Sequence, residues 1–311
     1  MRILKTFVMT VIVIGMLAMS AAAQAHQRML GINSAGNLYE IDPNSGAAIF
    51  LGDTGIPGTI TSMTADSAGT LWVINTQGSK AMLFSIPFGQ VVAGPGTQIS
   101  LADSPFTDYT WIQGMSFDTN GVLLATGNRM DNLPTPNELI TIDTSDATAV
   151  PIGPFLSPAF PCIEDVDSLA MSSTGALFGW DSDGFACFNN LHRFLSIDPM
   201  TGAATPVGAP YPFSTSVFAL QFDQGDTLFG ARHPGNAGGD ATLVTITTDD
   251  GVISDIALII DESGTTVRTV VGLAFVDFDC VNPCPTDING DGVTDTADLG
   301  ILLDAFGSIC N

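Results

Sequence analysis

Short apolar stretches recur along the chain at a nearly constant spacing. Each is followed by a turn rich in glycine, aspartate or serine. The five copies read SMTADSAG, GMSFDTNG, SLAMSSTG, ALQFDQGD and GLAFVDFD. Their aligned apolar residues are Met63, Met115, Leu169, Leu220 and Leu273, separated by 52, 54, 51 and 53 residues. This spacing indicates repeated units of about 50 residues each.

Within a unit the pattern predicts four strands. A second apolar pair follows each of the first four turns, as in Leu71-Trp72 and Leu177-Phe178. A third stretch alternates with period two (LFSIP, LITID, FLSID, LVTIT), and a tight turn and a fourth strand follow it. Four alternating strands per unit are typical of propeller blades. We therefore predict an all-β fold, a five-bladed β-propeller.

The fifth unit is divided between the two ends of the chain. Residues 271–276 supply its first strand, and three further strands lie at 29–32, 38–42 and 47–52. N-terminal strands that complete the last blade would close the ring and cover its sheet edges. A β-sandwich or an open solenoid is the alternative, but neither explains why the two terminal pieces add up to one unit.

The loops differ in length between the two predicted faces. Turns after the first and third strands are short, whereas the links between second and third strands and between blades are long. Long loops on one side of a rigid scaffold are where binding usually occurs. The long segments are 75–81, 104–113, 127–138, 157–167, 181–193, 211–217 and 232–241.

The first 25 residues resemble a secretory signal. Arg2 and Lys5 precede an apolar stretch that is too short to span a bilayer, and Ala23-Gln24-Ala25 fits a cleavage site. We expect a secreted or cell-surface protein with a signal at 1–25, a propeller at 26–278 and a small module at 279–311. Its charge changes from 8 − 32 = −24 to 6 − 32 = −26 on cleavage. Such acidity excludes nucleic acid as a partner.

Most cations of the mature chain fall in or beside the long loops, with two histidines and several aromatic residues. This distribution indicates a face that binds a glycan or a peptide, with an anionic ligand as one option. Ordinary surface ion pairs are the competing explanation. The candidate ligand-binding residues are Lys80, Tyr109, Trp111, Arg129, His192, Arg193, Arg232 and His233.

A cluster of acids makes glycoside hydrolysis the alternative function. Two carboxylates about 5–10 Å apart can cleave a glycosidic bond, but they can equally hold calcium or solvate a loop. Neither a nucleophile elbow nor a zinc-protease motif is present in the sequence. The weak catalytic candidates are Glu164, Asp165, Asp167, Asp181 and Asp183.

Export permits disulfides, and five cysteines are present. Cys162 lies in an inter-blade link, and Cys187 lies in the neighbouring link between second and third strands. We expect these two to pair and to tie two long loops together, which would stabilise the fold by about 3 kcal/mol.

Residues 287–298 form a twelve-residue pattern of oxygen ligands. Calcium takes six to eight oxygens from such a loop, and Gly292 allows the sharp turn at its sixth position. A backbone carbonyl serves at the seventh position. We therefore predict one Ca²⁺ site. Its ligands are Asp287, Asn289, Asp291, Val293, Asp295 and Asp298.

A short amphipathic helix is predicted after the loop. Leu299, Leu302, Leu303 and Phe306 repeat with helical spacing, and Gly307 ends the helix. So small a module needs its metal and a disulfide to fold. Cys284 with Cys310 would join the helix end to the loop entrance, and Cys280 with Cys310 is the alternative.

The loop and the leucine-rich helix together resemble a dockerin repeat. Dockerins bind cohesin domains in a calcium-dependent way and attach secreted proteins to scaffolds or cell surfaces. The resemblance covers about 25 residues and implies partner recognition near Thr296 and Ala297. There is one repeat instead of two, and Thr294 stands where the family has an aliphatic residue. Flanking cysteines are similar to those of single-repeat terminal modules on exported bacterial proteins.

Overall fold

The structure is a computed structural model, and it describes residues 27–77, 80–101, 104–129, 138–155, 166–182, 191–212, 214–235 and 239–277. All regular elements in these residues are β-strands. The described part of the chain contains no helix that could cross a membrane.

Three N-terminal strands precede the first complete sheet. They are β1 (Gln27–Asn33), β2 (Asn37–Ile41) and β3 (Ala47–Asp53). Blade I then consists of β4 (Thr59–Ala65), β5 (Leu71–Gln77), β6 (Lys80–Ile86) and β7 (Thr97–Gln98). Blade II consists of β8 (Ser100–Leu101), β9 (Ser104–Phe117), β10 (Leu123–Arg129), β11 (Glu138–Ile142) and β12 (Thr148–Pro154).

The remaining strands form three further blades. Blade III is β13 (Val166–Met171), β14 (Leu177–Asp181), β15 (Leu191–Ile197) and β16 (Ala204–Pro212). Blade IV is β17 (Thr215–Phe222), β18 (Leu228–Pro234), β19 (Thr242–Ile246) and β20 (Ile253–Leu258). Blade V combines β21 (Ile260–Asp261) and β22 (Val270–Asp277) with the N-terminal strands, in the order β21-β3-β2-β1-β22.

The first strands of the five blades form a closed ring. β4 contacts β9, β9 contacts β13, β13 contacts β17, β17 contacts β22, and β22 returns to β4. The fifth blade is completed as the sequence predicts, because β1 pairs antiparallel with β22 from Gln27↔Asp277 to Asn33↔Val270. The prediction of a five-bladed propeller closed by N-terminal strands is therefore confirmed for the described residues.

Aspartates account for the short turns of the propeller. Asp66 Oδ1 accepts hydrogen bonds from the amides of Ala68 and Thr70, and Asp118 and Asp223 make the equivalent pair of bonds in blades II and IV. A carboxylate that accepts hydrogen bonds from backbone N–H groups of a turn satisfies donors that have no backbone carbonyl partner there. Many of the acids thus have a structural role as well as a solubilising one.

Small residues occupy the position where neighbouring first strands approach each other. This position comes directly before the repeated apolar residue of each unit. A Cβ added to Gly114 would lie 2.9 Å from the amide nitrogen of Leu169, so glycine is required for this approach of β9 to β13. The repeated apolar residues are buried between the blades. The five small residues are Ser62, Gly114, Ser168, Ala219 and Gly272.

Three predicted links are largely strand in the structure, because β5 and β6 cover most of 75–81, β16 and β17 cover most of 211–217, and β9 covers all of 104–113. Residues 104–113 were expected to form a loop between blades, but β9 begins at Ser104 and continues to Phe117. Tyr109 explains the extension, because its fully buried ring packs against Gly127, where a Cβ would lie 2.6 Å from Tyr109 Cε1. Its hydroxyl donates a 2.7 Å hydrogen bond to Glu138 Oε1. Burial of a large aromatic residue with a satisfied hydroxyl stabilises the added strand length.

Candidate functional site

Each first strand carries a β-bulge at the same place in its blade. In blade III, Val166 pairs with Asp181 and Ser168 with Trp180, which leaves Asp167 as the extra residue. The registers of the other four blades shift at the corresponding point. A bulge bends its strand and redirects one side chain. We call the five extra residues the bulge ring; they are Thr61, Gln113, Asp167, Phe218 and Val271.

The bulge ring lines a cavity of about 340 Å³. All five first strands contribute to this lining, so the cavity lies at the centre of the ring of strands. Ser34, from the link between β1 and β2, also contributes. That link joins the second and third strands of blade V, so the cavity opens on the face that the sequence assigns to the long links.

Blades I to III supply a polar side of the bulge ring. Asp167 is 2% exposed, and its Oδ1 accepts a hydrogen bond from Gln113 Nε2 of the neighbouring blade. The Thr61 hydroxyl donates a 3.3 Å hydrogen bond to the carbonyl of Ile74 and keeps its own lone pairs for other donors. This side therefore offers a carboxylate, an amide and a hydroxyl to a bound molecule.

Blades IV and V supply an apolar side. Val271 is 8% exposed, and Phe218 is half-buried. The ring of Phe218 stacks on His233, with centroids 5.2 Å apart and an angle of 28° between the planes. A hydrogen bond holds the His233 ring in place, because its Nε2 lies 2.9 Å from the carbonyl oxygen of Val270. The apolar side is thus held by packing and by a hydrogen bond to β22.

The rim of the cavity combines an exposed aromatic residue with strained backbone. Trp111 is 40% exposed and lies at the cavity wall. Thr269, which also lines the cavity, has a φ of 53°. A β-branched residue rarely adopts a positive φ, and such strain is concentrated at functional sites. The amide of Ser34 donates to the carbonyl of Thr269 at 2.9 Å, which holds this conformation.

The electrostatic character of the cavity differs from that expected for an anion site. Asp167 is the one charged side chain among the described residues that line it. A carboxylate in a partly desolvated cavity repels anions and attracts hydrogen-bond donors. The described lining therefore suits a neutral, hydroxyl-bearing molecule.

The predicted cations are engaged with other residues. Lys80 Nζ donates to Gln98 Oε1 at 2.7 Å, and Arg232 Nη2 lies 2.8 Å from Asp255 Oδ2 on the outermost strand of its blade. Arg193 Nη1 lies 4.0 Å from Asp181 Oδ2. Arg129 ends β10, and its side chain lies outside the described part of the structure. Arg193 and Arg232 thus form the ordinary ion pairs of the competing explanation, whereas Lys80 is bound to a neutral amide.

Both predicted histidines are buried in the protein interior. His192 Nδ1 lies 2.5 Å from the carbonyl oxygen of Thr215. His233 contacts the carbonyl oxygens of Val270 and Gly239, the latter at 3.3 Å. Burial is the main influence on the pKa of His233 and lowers it, while the two carbonyls act in the opposite direction.

Of the five carboxylate candidates, Asp167 lines the cavity. Asp181 is fully buried on the second strand of blade III, across from Arg193 on β15. Glu164, Asp165 and Asp183 lie outside the described residues. The described part of the chain does not bring a pair of carboxylates into the cavity.

The predicted calcium loop at 287–298 and all five cysteines lie outside the described residues as well. The predicted Ca²⁺ site and the disulfides Cys162–Cys187 and Cys284–Cys310 therefore stay predictions. Within the described ranges, no group of three or more His, Cys, Asp and Glu side chains is placed to hold a metal ion.

Comparison with known proteins identifies no family. Neither a family nor a curated protein matches the chain. A virginiamycin B lyase from Staphylococcus aureus has 16% identity and a TM-score of 0.41, covering 75% of this chain and 70% of the other. The PQQ-bound aldose sugar dehydrogenase of Streptomyces coelicolor has 15% identity and a TM-score of 0.46, covering 78% and 80%. A putative 6-phosphogluconolactonase from Bacteroides uniformis has 12% identity and a TM-score of 0.45, covering 81% and 100%.

A likeness at this level does not carry ligand or reaction from one propeller to another, since one fold hosts many functions. Sequence reasoning missed four of the five bulge-ring residues: Thr61, Gln113, Phe218 and Val271. A signal for them exists in the repeat, because each stands two residues before the repeated apolar residue. Strict alternation would place such residues in the core, and the sequence does not reveal the bulge that redirects them.

Proposed function

We propose that this protein is a secreted, non-enzymatic glycan-binding propeller that a calcium-dependent C-terminal module attaches to a partner. The observation that carries the proposal is the central cavity, to which all five blades contribute. Ligand sites combine apolar and aromatic walls with a few placed polar groups. A sugar fits such a lining, since it has C–H faces for Trp111 and Phe218 and hydroxyls for Gln113 and Asp167.

The size and charge of the cavity favour a neutral sugar over a peptide or an acidic sugar. Its volume of about 340 Å³ is near the lower end of the roughly 300–1,000 Å³ that is usual for small-ligand sites. A single sugar unit is a better match to this volume than several residues of an extended peptide. Asp167 opposes a ligand carboxylate, because two buried like charges repel each other.

Hydrolysis of a glycan is the second candidate, and Asp167 is the residue that would take part in it. Both standard mechanisms require a second carboxylate about 5–10 Å away. Asp167 is the one carboxylate among the described residues that line the cavity. Binding without cleavage is therefore the preferred function.

The C-terminal module would supply the attachment. Its support is the match of six ligand positions in residues 287–298 to a calcium loop. A cohesin-like domain or another cell-surface partner is the partner that its resemblance to dockerins suggests. Attachment would then depend on calcium, whereas sugar binding at the propeller cavity would not.

A glycan array probed with the full-length mature protein tests both parts. We expect binding to neutral glycans, unchanged when EDTA removes calcium. Trp111→Ala should weaken that binding by about 2 kcal/mol, or roughly thirtyfold, because the indole loses its contact with the sugar. Phe50→Ala is the matched control, since Phe50 is 49% exposed on the outer part of blade V. Equal losses in both variants, or release of sugar during incubation, would contradict the proposal.

A further inference from the structure

The bulge ring divides the cavity by blade. Three consecutive blades place polar residues at this position, namely Thr61, Gln113 and Asp167. The next two blades place Phe218 and Val271 there. Since the blades follow one another around the axis, the polar residues are contiguous and face the apolar ones across the cavity. The bulge ring is therefore two-sided, although the rest of the lining is mixed, with Trp111 on blade II and Thr269 beside blade V.

We propose that the cavity binds one neutral pyranose unit in a single orientation, with its hydroxyl-rich edge toward blades I to III and a C–H-rich face toward blades IV and V. This inference rests on the proposed glycan-binding function and adds to it the ligand class and the residues that set orientation. Thr61 and Val271 are the specificity-determining residues at one boundary between the two sides, where blade I meets blade V.

The polar side is pre-organised to receive hydroxyl donors. The hydrogen bond from Gln113 Nε2 fixes its amide against the Asp167 carboxylate, so neither side chain has to be ordered by the ligand. The Thr61 proton is directed at Ile74, so its oxygen is presented as an acceptor. Groups that are already held in place bind a ligand with less loss of conformational entropy.

The apolar side cannot satisfy a hydroxyl to the same extent. Ser34 and Thr269 also line the cavity beside blade V, but Phe218 and Val271 have no polar side-chain atom, and Phe218 is backed by the His233 ring. A ligand hydroxyl turned toward Phe218 and Val271 would lose its hydrogen bonds to water without replacement. Sugars that reverse the orientation are therefore rejected, because a site discriminates strongly when polar groups are left unpaired.

Thr61 and Val271 permit a matched experiment, because threonine and valine are nearly isosteric. Thr61→Val removes a hydroxyl from the polar side, and Val271→Thr adds one to the apolar side. Calorimetry would use the methyl glycosides of glucose, galactose and mannose as neutral probes and glucuronic acid as the anionic probe. Thermal unfolding of each variant establishes that it is folded.

We expect at least one neutral glycoside to bind, and glucuronic acid to bind at least tenfold more weakly than the best of them. Each isosteric variant should bind that glycoside about three- to tenfold more weakly. The singly deoxygenated forms of the glycoside test orientation. One of them should lose affinity for the natural protein and show no further loss with Thr61→Val, since the same hydrogen bond is missing in both cases.

Two different failures are distinguishable. If the neutral glycosides bind and Trp111→Ala weakens them, but both isosteric variants stay within twofold of the natural protein, the two-sided orientation is overturned and glycan binding stands. If no probe binds, or glucuronic acid binds best, the proposed function is overturned together with the inference.

Discussion

Closure of the propeller depends on a close approach between β22 and β4, the first strands of blades V and I. A Cβ added to Gly272 would lie 2.5 Å from the amide nitrogen of Met63 and 2.9 Å from its Cα. Non-bonded carbon atoms are optimally about 3.5–4.0 Å apart. The strands would therefore have to separate by about 1 Å, at the contact between the last blade and the first.

Two opposing contributions decide whether Gly272→Ala raises or lowers the free energy of unfolding. Alanine restricts the unfolded chain and would stabilise the fold by about 0.4–1 kcal/mol at a site with free space. Overpacking of a tight contact costs about 1–3 kcal/mol. The neighbouring atoms are the backbone of Met63 and its Cβ, which is fixed to that backbone and cannot move aside as the end of a flexible side chain can. The cost of overpacking is therefore the larger contribution. We expect a net loss of about 1–2 kcal/mol.

Urea unfolding followed by tryptophan fluorescence measures this loss as a lower midpoint. Gly94→Ala is the matched control, since the atoms nearest to its added Cβ are the carbonyl and hydroxyl oxygens of Ser85 at 3.7 and 3.9 Å. Neither glycine has a φ in the left-handed region, so backbone strain does not distinguish them. A midpoint for Gly272→Ala equal to or above that of Gly94→Ala would refute the packing argument.

Two further predictions concern pH and calcium. Burial lowers the pKa of His233, so the unfolded chain binds a proton at this residue more readily than the folded chain does. The free energy of unfolding should therefore be highest above about pH 6.5, the ordinary pKa of histidine, and should decrease as the pH falls toward the pKa of the folded protein. Between pH 7 and 5 the urea midpoint should fall less in His233→Gln than in the natural protein. If the natural protein becomes more stable on acidification, the burial argument is wrong. Asp287→Ala should abolish calorimetric calcium uptake by the full chain and leave thermal unfolding of the propeller unchanged. Unfolding of the propeller in that variant would count against a separate C-terminal module.

The repeat made the architecture predictable from the sequence. Each unit needs an apolar residue between the blades, and Met63, Met115, Leu169, Leu220 and Leu273 supply it at a regular spacing. Each strand buries one face, and many residues contribute to that pattern, so the pattern stays recognisable when one residue deviates from it. The division of blade V was predictable for the same reason, since β1 to β3 carry the strand pattern that the C-terminal part lacks.

The two histidines show where the sequence was read incompletely. They were assigned to the long-loop face because they fall in the predicted links 181–193 and 232–241. His192 stands two residues before the buried Phe194 on β15, and His233 stands two residues after the buried Ala231 on β18. Period-two alternation continued to the strand ends would have placed both inside. For these two residues, the alternation along the strand was a better guide to burial than the polarity of the side chain.

The candidate site was less predictable than the fold, because it depends on five bulges. A bulge is a property of how two strands pair, and the same residues without it would continue the alternation into the core. Gln113 and Asp167 illustrate the difficulty. Each lies in phase with a repeated apolar residue, so continued alternation would place them in the core, and the sequence analysis placed them at the ends of the links 104–113 and 157–167. Their role becomes visible only when the register of β9 and β13 is known.

The bulges also explain how a symmetric scaffold can hold an asymmetric site. The repeated apolar residues have the same task in every blade, and a polar residue there would be buried without a partner. The bulge ring is less constrained, because its side chains also reach the cavity, although Val271 still belongs to the apolar cluster between blades V and I. Since threonine and valine are nearly isosteric, their exchange at Thr61 or Val271 changes polarity with little change in packing. If so, the isosteric variants at these two positions should alter sugar binding while their unfolding midpoints remain close to that of the natural protein, in contrast to Gly272→Ala one residue away.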